Sequence, residues 1–456
     1  MKALVIAGVA SGVGKTTVAT GLMGALVARG LRVQGFKVGP DYIDPAFHTA
    51  VTGRPSRNLD SWLLPPSVLR GLFARAAASA DAAIVEGVMG LYDGRHGGGD
   101  EASTGQVARL LDLPVVLVVD ASRQGRSAAA TVMGFRAFDP ALRLIGVILN
   151  RVASASHQAT LTEAIESHTG LPVLGAIHRD AGLTVPERYL GLVPPFERSP
   201  SDEYFSRAAG IIAREVDLAR LLQLAEVPPP PVDWRLPWPS PRAPRAALAV
   251  ARDRAFGFYY ADAIDSLAAL GLEIREFSPL SDATLPPDVD GVYLGGGFPE
   301  MFGGELAANV PLLRELRAAA RRGLPVYAEC GGLMYLARGL TDKEGQRHQM
   351  AGVVPAEVTL QEPRLSLGYR EVAAARDSLL LRAGDVVRGH EFHYSRCAFA
   401  AGTPAAYSVA GREPAREGCA RGQVLASYVH VHLAGAPASA RRLVDAYAAW
   451  RARRAA

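Results

Sequence analysis

Short, nearly unbroken apolar runs recur along this chain, and amphipathic stretches separate them. The first half contains ALVIAG (3–8), VQGFKV (33–38), AAIVEG (82–87), PVVLVVD (114–120) and LIGVILN (144–150). The second half contains AALAVAR (246–252), GVYLGG (291–296) and LPVYAEC (324–330). Runs of this kind, rich in β-branched residues and without polar alternation, predict strands of parallel sheets covered by helices on both faces. Between the two series lies PPPPVDWRLPWPSPRAP (228–244), with eight prolines in 17 residues. Proline fixes φ and lacks an N–H donor, so this stretch can be neither helix nor central strand. The pattern predicts an α/β chain of two parallel-sheet domains, about 1–225 and 245–456, with a proline-rich linker at 226–244. At the end, Arg441, Arg442, Arg451, Arg453 and Arg454 alternate at helical spacing with Leu443, Val444, Tyr447 and Trp450. That spacing predicts a last helix with a solvated basic face.

Composition narrows the function classes. The 456 residues are long enough for two or three full-sized cores. The 49 Lys+Arg against 45 Asp+Glu leave a net charge of only +4, which does not indicate nucleic-acid binding. Three cysteines without CxxC spacing argue against disulfides and structural zinc. The apolar start runs directly into SGVGKTT rather than a cleavage signal, and no apolar run reaches membrane-spanning length. A cytoplasmic protein without membrane association is expected.

Three segments of the first half carry phosphate chemistry. Gly8-Val-Ala-Ser-Gly12-Val-Gly14-Lys15-Thr16-Thr17 links the first strand to a helix. A glycine-rich turn at a helix start aims free N–H groups at phosphate oxygens; Lys15 would reach the β/γ-phosphates and Thr16 a Mg²⁺ ion. The loop is one residue longer than GxxxxGK, and it has Ala10 where partition-type ATPases carry a signature lysine. Phe36-Lys37-Val38-Gly39-Pro40-Asp41-Tyr42-Ile43-Asp44-Pro45 puts a lysine and two carboxylates at the end of the second strand, the ligand edge of an open parallel sheet. The alternative is a polar loop closed by prolines. The strand at 82–86 ends in Glu86 and continues as Gly87-Val-Met-Gly-Leu-Tyr-Asp93-Gly94. An acid there is the usual second Mg²⁺-associated carboxylate, although Glu86 could equally serve as a cap or an ion-pair partner. Further strands end at Asp120 and at Asn150-Arg151, and the amide of Asn150 has the donor and acceptor that an adenine edge requires.

The second half suggests thiol chemistry. The strand at 324–329 delivers Cys330, and Gly331-Gly332 opens a helix, the sequence form of a nucleophile elbow. The helix start is expected to lower the thiol's pKa and favour thiolate. In Ser427-Tyr-Val-His430-Val-His432 the two histidines face one side if the segment is extended, so one can pair with Cys330 while the other orients it. Backbone N–H groups of Gly331 and of Gly295-Gly296-Gly297 would be the oxyanion donors. The alternative is a buried structural cysteine. Cys397 and Cys419 lack such surroundings.

Taken together, GVASGVGKTT, FKVGPDYIDP, EGVMGLYDG, LGGGFPE, AECGG, LGYRE, GHEFHYS and SYVHVH make the chain resemble the cobyrinic/hydrogenobyrinic acid a,c-diamide synthase family along nearly its whole length. The first half is also similar to dethiobiotin synthetase, and the second to class I glutamine amidotransferases. The resemblance implies a glutamine- and ATP-dependent amide ligase acting on a corrin polycarboxylate, with Mg²⁺ and ATP at the first domain and L-glutamine at the second. By position, Lys15, Thr16 and Lys37 would serve ATP, together with Gly12, Gly14, Thr17 and Asn150. Asp41, Asp44, Glu86 and Asp93 would serve Mg²⁺ and acyl transfer, the metal ligands being Thr16, Asp41 and Glu86. Cys330 would attack glutamine with His430 as base, beside an oxyanion site of Gly296, Gly297 and Gly331. Many class I relatives place a glutamate two residues after the catalytic histidine, where this chain has His432, so the third triad member is open. Arg95 and His96 are candidates for the corrin's carboxylates, with a solvated loop as the alternative. LGYRE and GHEFHYS read as hairpin strands without an assigned role. A homodimer is compatible with these features. Cobyric acid synthase, a nickel-sirohydrochlorin-type diamide synthase and a partition-type ATPase are the competing readings; the last leaves Cys330 and His430 unexplained.

Overall fold

A computed structural model describes residues 1–180, 203–229, 243–410 and 416–455. The chain divides into two compact units, Met1–Leu236 and Pro237–Ala456. Most of the proline-rich linker, 230–242, lies outside the described residues. Among the described residues, no helix is long and apolar enough to cross a membrane.

The first unit runs β1 (Lys2–Gly8), α1 (Lys15–Ala28), β2 (Val33–Val38), α2 (Ile43–Thr52), β3 (Arg57–Leu59), α3 (Pro66–Ala77), β4 (Ala82–Glu86), α4 (Thr104–Leu111), β5 (Val115–Asp120), α5 (Ser127–Phe138), β6 (Leu144–Val152), α6 (Ala155–Thr169), β7 (Val173–His178), α7 (Glu203–Glu215) and α8 (Leu218–Leu224). Its seven strands pair in parallel in the order β3-β2-β4-β1-β5-β6-β7. All five apolar runs of this half are strands, and Leu4, Ile6, Ile84, Val116, Val118 and Ile148 are at most 1% exposed. Such burial on both faces is why the runs show no polar alternation. Local chemistry sets the helix starts: Ser103, Ser154 and Asp217 each accept a backbone N–H in the first turn of α4, α6 and α8.

The second unit contains β8 (Ala246–Ala251), β9 (Phe256–Phe258), α9 (Ala261–Ala269), β10 (Leu272–Phe277), β11 (Gly291–Leu294), β12 (Gly296–Gly297), α10 (Gly303–Ala308), α11 (Val310–Arg321), β13 (Val326–Glu329), α12 (Gly331–Leu336), β14 (Gly339–Thr341), β15 (Arg347–Gln349), β16 (Ala356–Thr359), β17 (Ser366–Ala374), β18 (Val386–His393), β19 (Arg396–Phe399), β20 (Tyr407–Val409), β21 (Arg416–Glu417), β22 (Cys419–Arg421), β23 (Val424–Ser427) and α13 (Pro437–Ala455). The main sheet has the order β10-β8-β11-β13-β23-β22 and is parallel except for the β22–β23 pair. LGYRE and GHEFHYS lie on β17 and β18, an antiparallel pair in which Leu367 faces Phe392 and Tyr369 faces His390. The Arg-rich end is α13, with Leu443, Val444 and Tyr447 fully buried.

Candidate functional sites at the phosphate loop and the cysteine elbow

In the first unit, the loop between β1 and α1 turns back over the sheet. Gly12 and Gly14 both adopt left-handed φ, 74° and 94°. At Gly14 a Cβ would lie 2.1 Å from Asn150 Nδ2, so only glycine allows this approach. Asn150, at the end of β6, donates from Nδ2 to Val13 O (2.9 Å) and accepts the Arg151 N–H at Oδ1 (2.9 Å). The side chain expected to read adenine therefore also fastens the loop. An amide has two N–H groups and two lone pairs, so one of each remains for a ligand. Lys15 lies along the loop, its Nζ donating to Ala10 O at 3.1 Å. Burial and the neighbouring Lys37 lower its ammonium to about 8. Thr17 meets the Tyr204 hydroxyl of α7 at 3.2 Å.

Residues from four elements converge beside this loop. Thr16 Oγ1 donates to Glu86 Oε1 at 2.7 Å and reaches Asp44 Oδ1 at 3.4 Å. Lys37 Nζ pairs with Asp44 and, at 2.9 Å, with Glu86 Oε1. His48 Nε2 lies 2.7 Å from Glu86 Oε2, with its Nδ1 at Ser56 Oγ. Burial alone would neutralise Lys37, but Asp44 and Glu86 outweigh it and raise its pKa. Burial likewise acts to raise Glu86, yet Lys37, His48 and Thr16 bring it below the usual carboxylate range. Burial and Glu86 push Asp44 up. Two carboxylates sharing one lysine divide in this way, one ionised and the other tending to hold its proton. His48 was not expected from the sequence, although its position one turn after Asp44 on α2 is a legible signal.

The other expected residues are placed differently. Asp41 Oδ1 accepts the N–H groups of Ile43 and Asp44, shaping the start of α2. Asp93 Oδ2 accepts the Gly90 N–H, and Leu91 N–H bonds to Gly8 O, which holds the segment after β4 against the phosphate loop. Arg95 bonds to Glu101 (2.9 Å) and lies over the Trp62 ring at 4.4 Å, so it is engaged in closing its own loop. Among the described residues, no cluster of three or more His, Cys, Asp or Glu could hold a metal by itself.

In the second unit, Cys330 sits between β13 and α12 with φ 48° and ψ −101°. A left-handed φ in a non-glycine residue stores about 1–3 kcal/mol of strain. The turn is clamped on both sides: Cys330 N–H bonds to Ser427 O (2.7 Å) and Gly332 N–H to Gly295 O (2.9 Å). Sγ faces Phe392 O at 3.6 Å. The expectation of a lowered thiol pKa is corrected. Burial, then the nearby Glu300, Glu329 and Glu391 charges, push the thiol well up, and the Gly331 N–H does not offset them. The six-residue α12 is too short a dipole to compete with desolvation among acids.

His430 is held by the backbone around it. Tyr428 N–H bonds to Glu417 (2.7 Å), Val431 N–H to Glu329 (2.8 Å), and His430 itself forms an isolated bridge with His390 of β18. Its ring packs on Gly296, where a Cβ would lie 2.5 Å from Cε1. A Cβ on Gly331 would lie 3.1 Å from Gly297 N, so the elbow and His430 meet the same glycine strip. Gly295 N–H is taken by the Tyr259 hydroxyl (2.8 Å). Burial, with His390 and His393 nearby, lowers His430 to about 3, so it is a neutral imidazole at neutral pH. The His432 ring stacks on Tyr260, with centroids 4.4 Å apart, and neither of its nitrogens has a hydrogen-bond partner. A cavity of about 1170 Å³ has Leu367, Arg370, His393, Arg396 and Tyr428 in its wall, but not Cys330, Gly331 or His430.

Both halves of the chain match known protein families. Residues 4–192 match the CobQ/CobB/MinD/ParA nucleotide binding domain, and residues 247–438 the CobB/CobQ-like glutamine amidotransferase domain. The chain is 46% identical to the cobyrinate a,c-diamide synthase of Gloeobacter violaceus, covering 97% of this chain and 96% of that protein. It is 46% identical to the hydrogenobyrinate a,c-diamide synthase of Streptomyces coelicolor, with the same coverages, 97% and 96%. The Salmonella typhimurium cobyrinate a,c-diamide synthase is 45% identical over 95% of this chain and 96% of that protein. The chain belongs to the cobyrinate and hydrogenobyrinate a,c-diamide synthase family. Membership accounts for the pairing of a nucleotide-binding domain with an amidotransferase domain in one chain, and it makes the chain an amide-forming synthase of the ligase type.

Proposed function

We propose that the protein converts the a and c carboxylates of cobyrinate or hydrogenobyrinate into carboxamides, using ATP to activate each acid and glutamine as the nitrogen source. One observation carries this reading. A charged phosphate-loop cluster and a strained cysteine elbow with a histidine occur in one chain that aligns nearly end to end with the diamide synthases.

At the first site, the N–H groups of the Gly12–Gly14 turn receive the triphosphate, and Lys15 and Lys37 face the charge that develops on the transferred phosphoryl group. The Thr16 hydroxyl with Asp44 and Glu86 forms a set of hard oxygen donors that suits Mg²⁺ shared with phosphates and water. Mg²⁺ bound there would neutralise phosphate charge. Asp41 and Asp93 act at the borders of this group, through α2 and the segment after β4. A carboxylate is a poor electrophile, and conversion to an acyl phosphate supplies its leaving group.

At the second site, Sγ attacks the carboxamide carbon of glutamine while its proton passes to His430. The carbonyl π pair moves to oxygen, facing the Gly331 and Gly296–Gly297 backbone. His430 then gives the proton to the departing nitrogen, the C–N bond breaks and ammonia leaves. Water hydrolyses the thioester to glutamate. The ammonia displaces phosphate from the activated corrin acid.

The test is to incubate the protein with MgATP, glutamine and either cobyrinic or hydrogenobyrinic acid and to follow product mass. Two successive acid-for-amide exchanges are expected with one corrin or both. ATP hydrolysis without a mass change on either would overturn the substrate assignment.

A further inference from the structure

Where many class I glutamine amidotransferases have an acid two residues after the base, this chain has His432, which stacks on Tyr260. Another acid lies within reach. Glu329, the last residue of β13 and the immediate neighbour of Cys330, places Oε2 3.9 Å from His430 Nδ1. It is 2% exposed, and three donors fix its carboxylate. Tyr293 hydroxyl donates to Oε2 at 2.7 Å; Tyr327 hydroxyl and Val431 N–H donate to Oε1, the latter at 2.8 Å. Tyr293 and Tyr327 themselves stack with centroids 4.9 Å apart, so the clamp is rigid.

We infer that Glu329 is the positioning residue of the glutaminase: it holds the His430 ring with Nδ1 inward and stabilises the imidazolium formed when Sγ gives up its proton. The inference rests on the Cys330–His430 reading above.

The geometry explains how a residue adjacent to the nucleophile can do this. Alternate residues of a strand point to opposite sides, and Cys330 leaves β13 through the left-handed turn. The turn sends Sγ toward β18 and leaves Glu329 facing the 428–432 segment that carries the base. With Nδ1 toward Glu329, Nε2 is the nitrogen on the Gly296 side, where the glutamine carbonyl would sit. A negative partner at Nδ1 favours the tautomer with the proton on Nδ1 and an open lone pair on Nε2, the form a general base requires. Burial raises the Glu329 carboxyl to about 7 against the Tyr327, Val431 and Tyr293 hydrogen bonds, so its charge at Nδ1 is available as pH rises through neutrality. Catalytic hydrogen bonds often tighten only when substrate is bound.

Anchoring of the backbone at Val431 N–H is the rival role for the same side chain, and two substitutions separate it from positioning. Glu329→Gln preserves size and removes the charge; its carbonyl can keep the Tyr327 and Val431 bonds, whereas its amide nitrogen can only donate to the Tyr293 hydroxyl. Glu329→Asp keeps the charge but withdraws it and leaves a gap. Steady-state glutamine hydrolysis is measured on the full chain, with thermal unfolding as the fold control. Positioning gives the kcat order wild type, Asp, Gln, with Gln down about 10²-fold or more and KM for glutamine nearly unchanged. Anchoring gives the order wild type, Gln, Asp, and that result would overturn the inference. His432→Gln is the second arm. Its kcat should fall less than that of Glu329→Gln, and a larger fall would transfer the orienting role to His432. Cys330→Ala separates the two levels: if it still hydrolyses glutamine like the wild type, the glutaminase reading fails, whereas active Glu329→Gln beside dead Cys330→Ala sinks only the role of Glu329.

Discussion

The two sites stand at the same kind of place, the edge where parallel strands end, yet they handle buried charge in opposite ways. At the phosphate loop, Lys37, Asp44 and Glu86 are nearly sealed from solvent, and Lys37 and Glu86 are held in their charged forms by each other, Thr16 and His48. At the elbow, Cys330, His430 and His432 are buried without a counter-ion clamp of that strength, and desolvation drives them to neutral forms. Phosphoryl transfer needs fixed charge facing a charged ligand, so charge organised beforehand lowers the barrier. Thiol attack needs a proton that can move, and neutral thiol and imidazole forms leave one available. Burial alone therefore does not set protonation; the ion pairs available to each group decide it.

Four experiments sharpen or break this contrast. The largest effect is expected from Cys330→Ala. Glutamine-supported amidation should fall by more than about 10³-fold while ammonia-supported amidation persists, since only the neutral site is lost. Equal loss with both nitrogen sources, measured by product mass, would mean that the two chemistries are not separable.

Lys37→Met comes next. It leaves two buried carboxylates without their cation, so unfolding free energy from denaturant titration should drop by about 3–5 kcal/mol. A change below about 1 kcal/mol would show that the cluster is not held by charge.

The neutral site predicts a pH effect. Burial lowers His432 to about 3, so the folded state refuses a proton that the unfolded chain accepts below about 6.5. Its contribution is present above that pH and is lost as pH falls. The stability of the wild type relative to His432→Gln should therefore decrease by about 2 kcal/mol between pH 7 and pH 5. A pH-independent difference would show that His432 titrates normally.

Asn150→Ala should have the smallest effect. Loss of the bond to Val13 O should weaken ATP binding about 5-fold, read by calorimetry, with glutamine hydrolysis untouched. A loss of about 100-fold or more would point to direct contact with the base.

Much of this was legible before the fold. The eight quoted apolar runs are all strands, because a parallel strand buried on both faces must be apolar throughout. The phosphate loop and the elbow were legible for a related reason: each is a strand–turn–helix whose residues are contiguous, and glycine spacing encodes the turn. Lys37, Asp44 and Glu86 were identifiable as residues at strand ends. Their division of charge was not, since it depends on His48 and Thr16 meeting the same carboxylate. The thiol's direction of shift was misjudged because a helix start is visible in sequence, whereas Glu300 and Glu391 beside the sulfur are not.

What the sequence determined by itself is local: strand, turn and helix types, and with them the two chemistries proposed for the chain. What tertiary structure decided is which side chains face each other across long separations. Asn150 reaches Val13 across 137 positions, and Glu329 reaches the backbone at Val431 across 102. Periodicity says which face of an element is buried, but the partner on that face is set by sheet order and register. For that reason the acid beside Cys330 reads as an unremarked strand residue in the sequence and as the neighbour of His430 in the fold.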